Sequence, residues 1–330
     1  MSILWVGGED LDFLAAPAVS VSTSTSLFRT AYARCCVYES SMNNTAMSVP
    51  FPGGPLTSAW LSARITGQNN WGNSGYPAIR SIGLGRSGTA NGLFIGTHAS
   101  IGNKLALSKF NGTTTTQLAT EGGTSIAPTT TYLLCVQVMN FGAAATVNVY
   151  LNGVLVITYT GDVTVSGMSD FDCVLLCRTD GGNLYTSEIV VADEDPRGFP
   201  GVATLALTGA GATDAWTGVF STINGTSISD TTPNYTATPD LDQQFNVSDP
   251  PAGLYTVKAV RIAARAAKNG SPTKIALGYN SGGSVAVGAD KALTNVYATY
   301  EQIDQVNPIT GVAFTLAELT PLQVDVRSRA

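Results

Sequence analysis

The chain has 330 residues, of which only 12% are charged and 44% are hydrophobic, and its net charge is −6. This length predicts two domains, each with its own core. Phosphate binding needs clustered Lys and Arg, so the acidic balance excludes a nucleic-acid partner.

The first ten residues lack the basic segment, apolar core and cleavage site of a signal peptide. No apolar run approaches the roughly 18 residues that a membrane-spanning helix needs. We therefore expect synthesis in the cytoplasm, no signal peptide and no membrane partner. The sparse surface charge further suggests that neighbouring subunits cover much of the exterior.

Short apolar or alternating runs punctuated by Gly, Asn, Ser and Thr predict strands through the first two hundred residues. The predicted strands cover residues 58–65, 78–84, 92–96, 105–110, 113–118, 133–139, 146–151, 154–159, 173–177 and 185–192. The runs at 133–139 and 173–177 are continuously apolar, so both are expected to be central strands that are covered on both sides.

Two Asn-Gly pairs between apolar or β-branched runs predict type I′ hairpins. They are Asn111-Gly112 and Asn152-Gly153. Before the second turn, Val147, Val149 and Leu151 alternate with polar residues, which is typical of a strand with one buried face.

A charged stretch followed by Pro and Gly spans residues 193–201. We interpret it as a linker and place the domain boundary near residue 200. The prediction is an all-β chain of two β-sandwiches: a concanavalin A-like jelly roll at 1–200 and a smaller C-terminal β-sandwich at 201–330.

In the C-terminal part, strands are predicted at 202–207, 244–247, 273–279 and 322–326. Residues 255–268 fit either a helix with one basic face or a strand. We choose the strand, because the run ends at Asn269-Gly270-Ser271-Pro272 before another strand-like segment. Thr315 and Glu318 have capping-box spacing, which predicts one short helical turn.

The five cysteines, an odd number, show no C-x-x-C pair of a zinc or redox site. On one strand, Cys173 and Cys177 would lie roughly 13 Å apart, beyond the roughly 7 Å limit for a disulfide. We interpret the cysteines as buried reduced thiols. The alternative is that Cys35 and Cys36 form bridges between subunits.

Catalytic groups are scarce. His98 is the only histidine, and it falls in a predicted Gly, Asn and Ser-rich loop without a partner. The acidic clusters at 9–12 and 193–195 are interpreted as solvated turn or linker carboxylates. Asp162 and Asp172 lack the regular spacing of a calcium loop. No catalytic, metal or cofactor residue is assigned, and no cofactor is expected.

Four aromatic side chains are candidates for stacking on a sugar ring or for packing in an interface. They are Trp60, Trp71, Tyr76 and Trp216. The alternative is that they are core residues, as most sandwich tryptophans are.

Residues 131–138, 147–154 and 184–193 resemble the concanavalin A-like, laminin-G-like jelly rolls of phage structural proteins. Residues 202–205, 215–218, 307–315 and 319–326 are similar to a C-terminal segment of tailed-phage virion proteins. The resemblance implies the fold and a setting in a particle, and it transfers no site residues.

We therefore expect a non-enzymatic virion protein on the particle exterior, as a head decoration, neck or tail component. Its expected partners are further copies of itself and other virion proteins. The alternative is a carbohydrate-binding receptor-recognition or adhesion module with a host surface glycan as ligand. A glycoside hydrolase or lyase would need two carboxylates facing each other across a groove.

Overall fold

The computed structural model describes residues 3–7, 21–24, 36–39, 46–51, 54–67, 79–98, 104–123, 126–127, 130–177, 184–198, 201–218, 220, 223, 230–253 and 256–330. The chain divides into two compact units, Met1–Val202 and Ala203–Ala330, here called unit 1 and unit 2. The described part is all-β, as predicted, with one short helix. It includes no helix long and apolar enough to cross a membrane.

The strands of unit 1 are β1 (Ile3–Gly7), β2 (Val21–Ser24), β3 (Cys36–Glu39), β4 (Ala46–Pro50), β5 (Ala59–Gly67), β6 (Ile79–Gly85), β7 (Gly92–His98), β8 (Lys104–Phe110), β9 (Thr115–Thr120), β10 (Thr131–Met139), β11 (Ala145–Leu151), β12 (Val154–Gly161), β13 (Cys173–Cys177) and β14 (Leu184–Ala192). Strands β12-β11-β10-β5-β14-β3-β2 form the first sheet, with β1 paired to β14. Strands β4-β13-β6-β7-β8-β9 form the second sheet, and pairing is antiparallel throughout.

Alternation along the strands decides which face of the first sheet is buried. On β11, Val147 and Val149 are fully buried, while Asn148 and Tyr150 on the opposite face are only half-buried. The predicted one-sided pattern of this strand is confirmed. The central strand β13 is buried at all five positions, so its predicted cover on both sides is confirmed as well.

The face of β13 that carries Leu175 packs against two glycines, Gly85 and Gly92. Cys173, Leu175 and Cys177 join Phe94 and Phe110 in one buried cluster. A Cβ at Gly85 or Gly92 would overlap Leu175, so the absence of a side chain there leaves the room that this cluster fills.

The two Asn-Gly hairpins differ. Asn152 and Gly153 have φ of 49° and 82°, the left-handed pair that a type I′ turn requires, and β11 and β12 flank them directly. At the first pair, Gly112 alone of the two has positive φ, and the loop runs to Thr114. The type I′ prediction is wrong there, because the Asn111 side chain accepts from the backbone N–H groups of Thr113 and Thr114 and closes a longer loop.

The strands of unit 2 are β15 (Leu207–Asp214), β16 (Asp242–Val247), β17 (Val260–Ala266), β18 (Lys274–Ser281), β19 (Ser284–Val287), β20 (Lys291–Ala292), β21 (Ala298–Asp304) and β22 (Gln323–Arg329), and the helix is α1 (Leu316–Leu319). One sheet has the order β15-β16-β22-β18-β19, with β20 paired to β18. Strands β17 and β21 form a separate two-stranded sheet.

The core of unit 2 lies between these elements. Ile262 of β17, Leu277 and Tyr279 of β18, and Phe314 and Leu319 near α1 are all buried in one cluster. The strand chosen for the ambiguous segment is confirmed by β17, which pairs with β21 along its whole length from Val260 to Ala266.

The predicted helical turn is also confirmed. The backbone N–H of Thr315 donates to Glu318 Oε2 at 2.7 Å, which is one half of a capping box at the start of α1. Hydrogen bonding to Thr315, chiefly its backbone, lowers the pKa of Glu318.

Two other predictions are wrong. Residues 202–206 are not a strand: β15 begins at Leu207 and continues through Gly209 and Gly211 instead. His98 is the last residue of β7 and does not lie in a loop. In both cases local composition was outweighed by pairing with a neighbouring strand, β16 for β15 and β8 for β7.

Candidate functional site

A cleft of about 280 Å³ opens at one end of the second sheet of unit 1, where two loops meet. One loop is the turn between β6 and β7, and the other joins β12 to β13. The cleft is lined by Arg86, Thr89, Asn91, Ser166, Gly167, Met168, Ser169 and Asp170.

Local hydrogen bonds fix the shape of the first loop. The Arg86 N–H donates to the Asn91 carbonyl at 3.2 Å, and the Thr89 hydroxyl donates to the Arg86 carbonyl at 2.8 Å. These bonds close a tight turn, so the side chains of Thr89 and Asn91 are held at the cleft wall.

The second loop folds back on itself in the same way. The Met168 N–H donates to the Val165 carbonyl at 2.7 Å, and Ser166 and Gly167 between them have positive φ of 45° and 78°. Met168 is buried, whereas Ser166 and Ser169 are exposed. The tight turn therefore presents serine hydroxyls to the cleft while Met168 anchors it.

Ion pairs join the two loops. Arg86 forms an ion pair with Asp170, and its Nε lies 3.8 Å from Asp172 Oδ2. Asp172 also accepts from the Ser87 N–H at 2.6 Å and from the Ser87 hydroxyl at 3.0 Å. This cluster, one guanidinium and two carboxylates, carries a net charge of −1.

The cleft thus offers hydroxyl, amide, guanidinium and carboxylate groups in fixed positions, and its lining residues include no aromatic side chain. Such a mixture suits a ligand with several hydroxyl groups, which donates and accepts at once. Both carboxylates already accept from Arg86 or Ser87. An acid–base pair for glycoside cleavage would instead need two carboxyl groups that face the ligand.

A second feature covers the outer face of the first sheet. Arg197 lies over the ring of Tyr150 at 4.0 Å and over Trp60 at 5.3 Å, and the two rings stack at 5.7 Å. Arg197 also pairs with Asp195 at 2.5 Å. We call residues 195–197 the strap, since they fold back from the end of β14 onto this face.

The strap corrects the interpretation of residues 193–201 as a linker. Pro196 is buried and Arg197 is half-buried, while Asp193 and Glu194 are exposed, as the solvated-turn interpretation expects. The charged and Pro-rich composition of residues 193–201 favours exposure to solvent, but the attraction of the Arg197 guanidinium to two aromatic rings holds this part of the segment on the sheet. The compact unit continues to Val202.

Of the four predicted aromatic candidates, the structure describes Trp60 in unit 1 and Trp216 in unit 2. Trp60 is 7% exposed beneath Arg197, so a sugar ring cannot stack on it while the strap is in place. Trp216 is half-buried against the core of unit 2, and its indole N–H donates to the Leu241 carbonyl at 3.1 Å. Trp71 and Tyr76 lie outside the described residues.

The predicted thiols are distributed through unit 1. Cys135, Cys173 and Cys177 are buried, and burial raises the pKa of the Cys135 and Cys173 thiols. Cys35 lies outside the described residues, and of Cys36 only the backbone, in β3, is described. The bridging role of Cys35 and Cys36 therefore stays a prediction.

Of the remaining acidic candidates, the structure describes Asp162, Asp172 and residues 193–195. Asp162 accepts from Thr164 and Lys109, and these bonds lower its pKa to about 2. Within the described ranges no group of three His, Cys, Asp or Glu side chains is placed to hold a metal ion. The cluster at 9–12 lies outside those ranges.

Sequence reasoning missed Arg86, Asn91 and Asp170. About 80 residues separate the two loops, and each shows only the Gly and Ser content of an ordinary turn. The one available signal is chemical: an Arg in one turn and two Asp residues in another are able to pair if the fold brings the turns together.

No family model matches this chain, and no curated protein matches it. Similar solved structures include a cellulose-induced protein, Cip1, with 15% identity over 55% of this chain and 90% of that chain and a TM-score of 0.40. An endo-β-1,4-glucuronan lyase from the fungus Trichoderma reesei is 11% identical over 58% and 96% of the two chains, with a TM-score of 0.38.

The receptor-binding domain of botulinum neurotoxin type G is a third similar structure, 8% identical over 59% of this chain and 48% of that one, with a TM-score of 0.35. These names describe proteins of different activities, an enzyme and a binding domain among them. At such identities and TM-scores, nothing about ligand or chemistry transfers to this chain.

Proposed function

We propose that unit 1 is a non-catalytic recognition module that binds a neutral glycan in the cleft between the two loops. The observation that carries the proposal is the Arg86–Asp170–Asp172 cluster, which is held by ion pairs beside exposed hydroxyl groups and the half-buried Asn91 amide. Pre-positioned polar groups bind a polyhydroxylated ligand without first being ordered.

The charge of the cluster favours a neutral sugar over an acidic one. Two carboxylates face one guanidinium, and an incoming carboxylate would meet the net negative charge and the overall charge of −6. Neutral hydroxyl pairs, in contrast, are able to donate to Asp170 and accept from Asn91 or Arg86.

The test fills the cleft without removing a structural contact. Ser169 is exposed at the cleft wall, so Ser169→Trp blocks the space, and Thr116→Trp, at an exposed position of β9, is the matched control. Calorimetry follows a glycan array that compares neutral hexose polymers with polyuronates. We expect Ser169→Trp to weaken binding of the retained neutral glycan at least tenfold, a change of about 1.4 kcal/mol, while the control binds like the wild type.

Two results would overturn this proposal. One is that no neutral glycan is retained by the folded full chain. The other is that Ser169→Trp binds as tightly as the wild type, which would place the ligand elsewhere. A preference for polyuronates would refute the charge argument.

A second candidate function is a subunit of an assembled particle, including the expected virion. Strands β9 and β12 end their sheets and contact each other, and neither contains a charged residue. Val154 is 64% and Leu155 is 50% exposed at one end of β12. Unprotected edges of this kind pair with further strands, and a second copy of the same edge is the partner proposed here.

Sedimentation of the purified chain tests the assembly. We expect an oligomer that Val154→Lys dissociates, because a charged side chain at an edge blocks pairing, whereas Thr113→Lys, at an exposed position of the β8–β9 loop, serves as the surface control. A monomer at all concentrations would refute self-assembly. Peptide mass mapping of purified phage particles tests the virion setting separately.

A further inference from the structure

Unit 2 buries a carboxylate that no hydrogen bond satisfies. Asp325 lies in the middle of the central strand β22, opposite Gln244 of β16 and Gly278 of β18. Its exposure is 0%, and neither carboxylate oxygen has a hydrogen-bond partner. An ionised carboxylate is costly in such a place, so the site favours either a proton or a counter-charge.

A layer of amide side chains surrounds Asp325 on the same face of the sheet. The Asn280 amide donates to Gln244 Oε1 at 2.8 Å and to Gln323 Oε1 at 3.2 Å, and the Gln323 amide donates to Asn246 Oδ1 at 2.9 Å. Gln244 lies beside Asp325, but in a geometry outside a hydrogen bond. The Asn280 and Gln323 amides therefore donate to other side chains, which leaves the Gln244 amide as the nearest donor to the carboxylate.

The edge strand β15 is attached to this amide layer. Asn246 donates to the Ala210 carbonyl at 2.7 Å, and the Ala212 N–H donates to Gln323 Oε1 at 3.0 Å. Ala210 faces Phe245 in the register and Asp214 faces Gln243, so residues 211–213 bulge opposite Gln244 alone.

Glycine permits this close approach. A Cβ at Gly211 would lie 2.7 Å from the Gln244 Cβ and 2.9 Å from Gln323 Oε1. The bulge therefore rests directly on the two side chains that flank Asp325, and any shift of those side chains is transmitted to β15.

We propose that Asp325 is a proton-controlled latch: proton uptake holds the bulged strand β15 on the amide layer, and ionisation loosens it. A protonated carboxyl is uncharged and donates one hydrogen bond, which Gln244 or Asp242 is able to accept. The ionised form can only accept, and the amides of Asn280 and Gln323 already donate to other side chains, so burial of the charge is poorly compensated.

The neighbouring charges act in both directions. Burial, and then the negative charge of Asp242, raise the pKa of Asp325 to about 6, while Gln244, Arg327 and Arg329 act in the opposite direction. Four pairs involve other charged side chains at this sheet: Asp242 with Arg327, Asp240 and Asp290 each with Arg329, and Asp290 with Lys274. Lys291 of β20 is a further cation of the same sheet. Asp214 of β15 accepts from Gln243.

The direction of the pH effect follows from linkage. The pKa of an unfolded Asp is near 3.8, so between about pH 4 and pH 6 the closed form binds more protons than the open form. The closed form is therefore fully favoured below this window and loses that advantage as the pH rises through about 6. A difference of about two pKa units corresponds to a change of at most about 100-fold in the closed-to-open ratio.

Hydrogen exchange of the full chain between pH 5 and pH 7.5, corrected for intrinsic rates, measures the opening of β15. In the wild type we expect protection of Leu207–Asp214 to fall by about tenfold over this range, because the rest of the at most 100-fold change falls below pH 5. Asp325→Asn keeps the shape without a titrating group, so its protection should be high and independent of pH. Asp249→Asn, an exposed position in the same unit, should behave like the wild type.

NMR of the Asp325 side-chain carboxyl carbon checks the titration itself, and a midpoint near pH 6 supports the latch. A midpoint below pH 4.5, or the same pH response in Asp325→Asn, would overturn it. A response abolished by adding or chelating a divalent cation would show that a cation, and not a proton, occupies the site. Asp325 lies in unit 2, so the outcome of these measurements is independent of whether the cleft in unit 1 binds a glycan.

Discussion

Replacing Arg197 by Ala is expected to uncover Cys135. The thiol of Cys135 lies on the same outer face as Tyr150, its cross-strand neighbour, and is 0% exposed. The charges of Asp195 and Arg197 are close enough to act on it. Without the guanidinium, the strap loses both ring contacts and its ion pair, so it should detach from the sheet.

The magnitude follows from these contacts. A guanidinium over a ring contributes about 0.5–1 kcal/mol at an exposed site. Arg197 contacts two rings, and its ion pair with Asp195 is partly exposed and adds little. The total is about 1–2 kcal/mol, which corresponds to roughly a fivefold to thirtyfold increase in the open fraction of the strap.

The assay is alkylation of thiols in the native protein, followed by peptide mapping that counts each cysteine separately. In Arg197→Ala the alkylation rate of Cys135 should rise roughly fivefold to thirtyfold, and release from burial should also bring the raised thiol pKa down. Cys173, buried in the second sheet, is the internal control and should stay unreactive. Unchanged labelling of Cys135 in a folded Arg197→Ala protein would show that the strap does not protect it.

Three further substitutions test the packing. Gly85→Ala places a Cβ against a backbone carbonyl and Leu175, so the free energy of unfolding of unit 1 should fall by about 1–3 kcal/mol in denaturant. At Gly122 a Cβ meets open space, so Gly122→Ala should change it by no more than about 0.5 kcal/mol. Equal unfolding midpoints for the two variants would contradict this. Gly153→Ala at φ 82° should cost about 1 kcal/mol, and no loss would argue against the type I′ turn. Tyr279→Phe removes a hydroxyl that donates to the Val260 carbonyl of β17 at 3.3 Å, so it should destabilise unit 2 by about 1 kcal/mol. Unchanged stability would mean that this hydrogen bond contributes nothing.

The sequence predicts the fold best where burial follows a local period. The alternation on β11 and the unbroken apolar run of β13 each have one structural solution, a half-buried and a fully buried strand. Asn152-Gly153 likewise fixes its hairpin, because both residues tolerate left-handed backbone.

The sequence fails where distant partners decide the structure. Strand β15 contains Gly and Ala, which are poor strand formers, and it exists because its bulge fits against Gln244 and Gln323. The strap has the composition of a linker, but its Arg197 meets rings from β5 and β11 that lie far away in sequence. The cleft depends on two such loops at once, so none of its residues carried a local signal.

In both units, hydrogen bonds between amide side chains link neighbouring strands, as ion pairs do in more highly charged proteins. On the first sheet of unit 1, Thr158 donates to Asn148 at 3.1 Å, and Asn148 donates to Gln137 at 3.0 Å. In unit 2 the corresponding row runs through Asn280, Gln244 and Gln323, as described above. Such rows join neighbouring strands without any charge, which fits a chain with only 12% charged residues.

Because these rows consist of uncharged amides, they also determine how strand pairing responds to pH. Amides do not titrate, so rows of Asn and Gln hold their strands equally well in acid and at neutral pH. A carboxylate placed within such a row is different, because it does titrate and its burial makes the ionised form costly. Asp325 is therefore the position in the described part of unit 2 at which a single proton is best placed to change how firmly an edge strand is held.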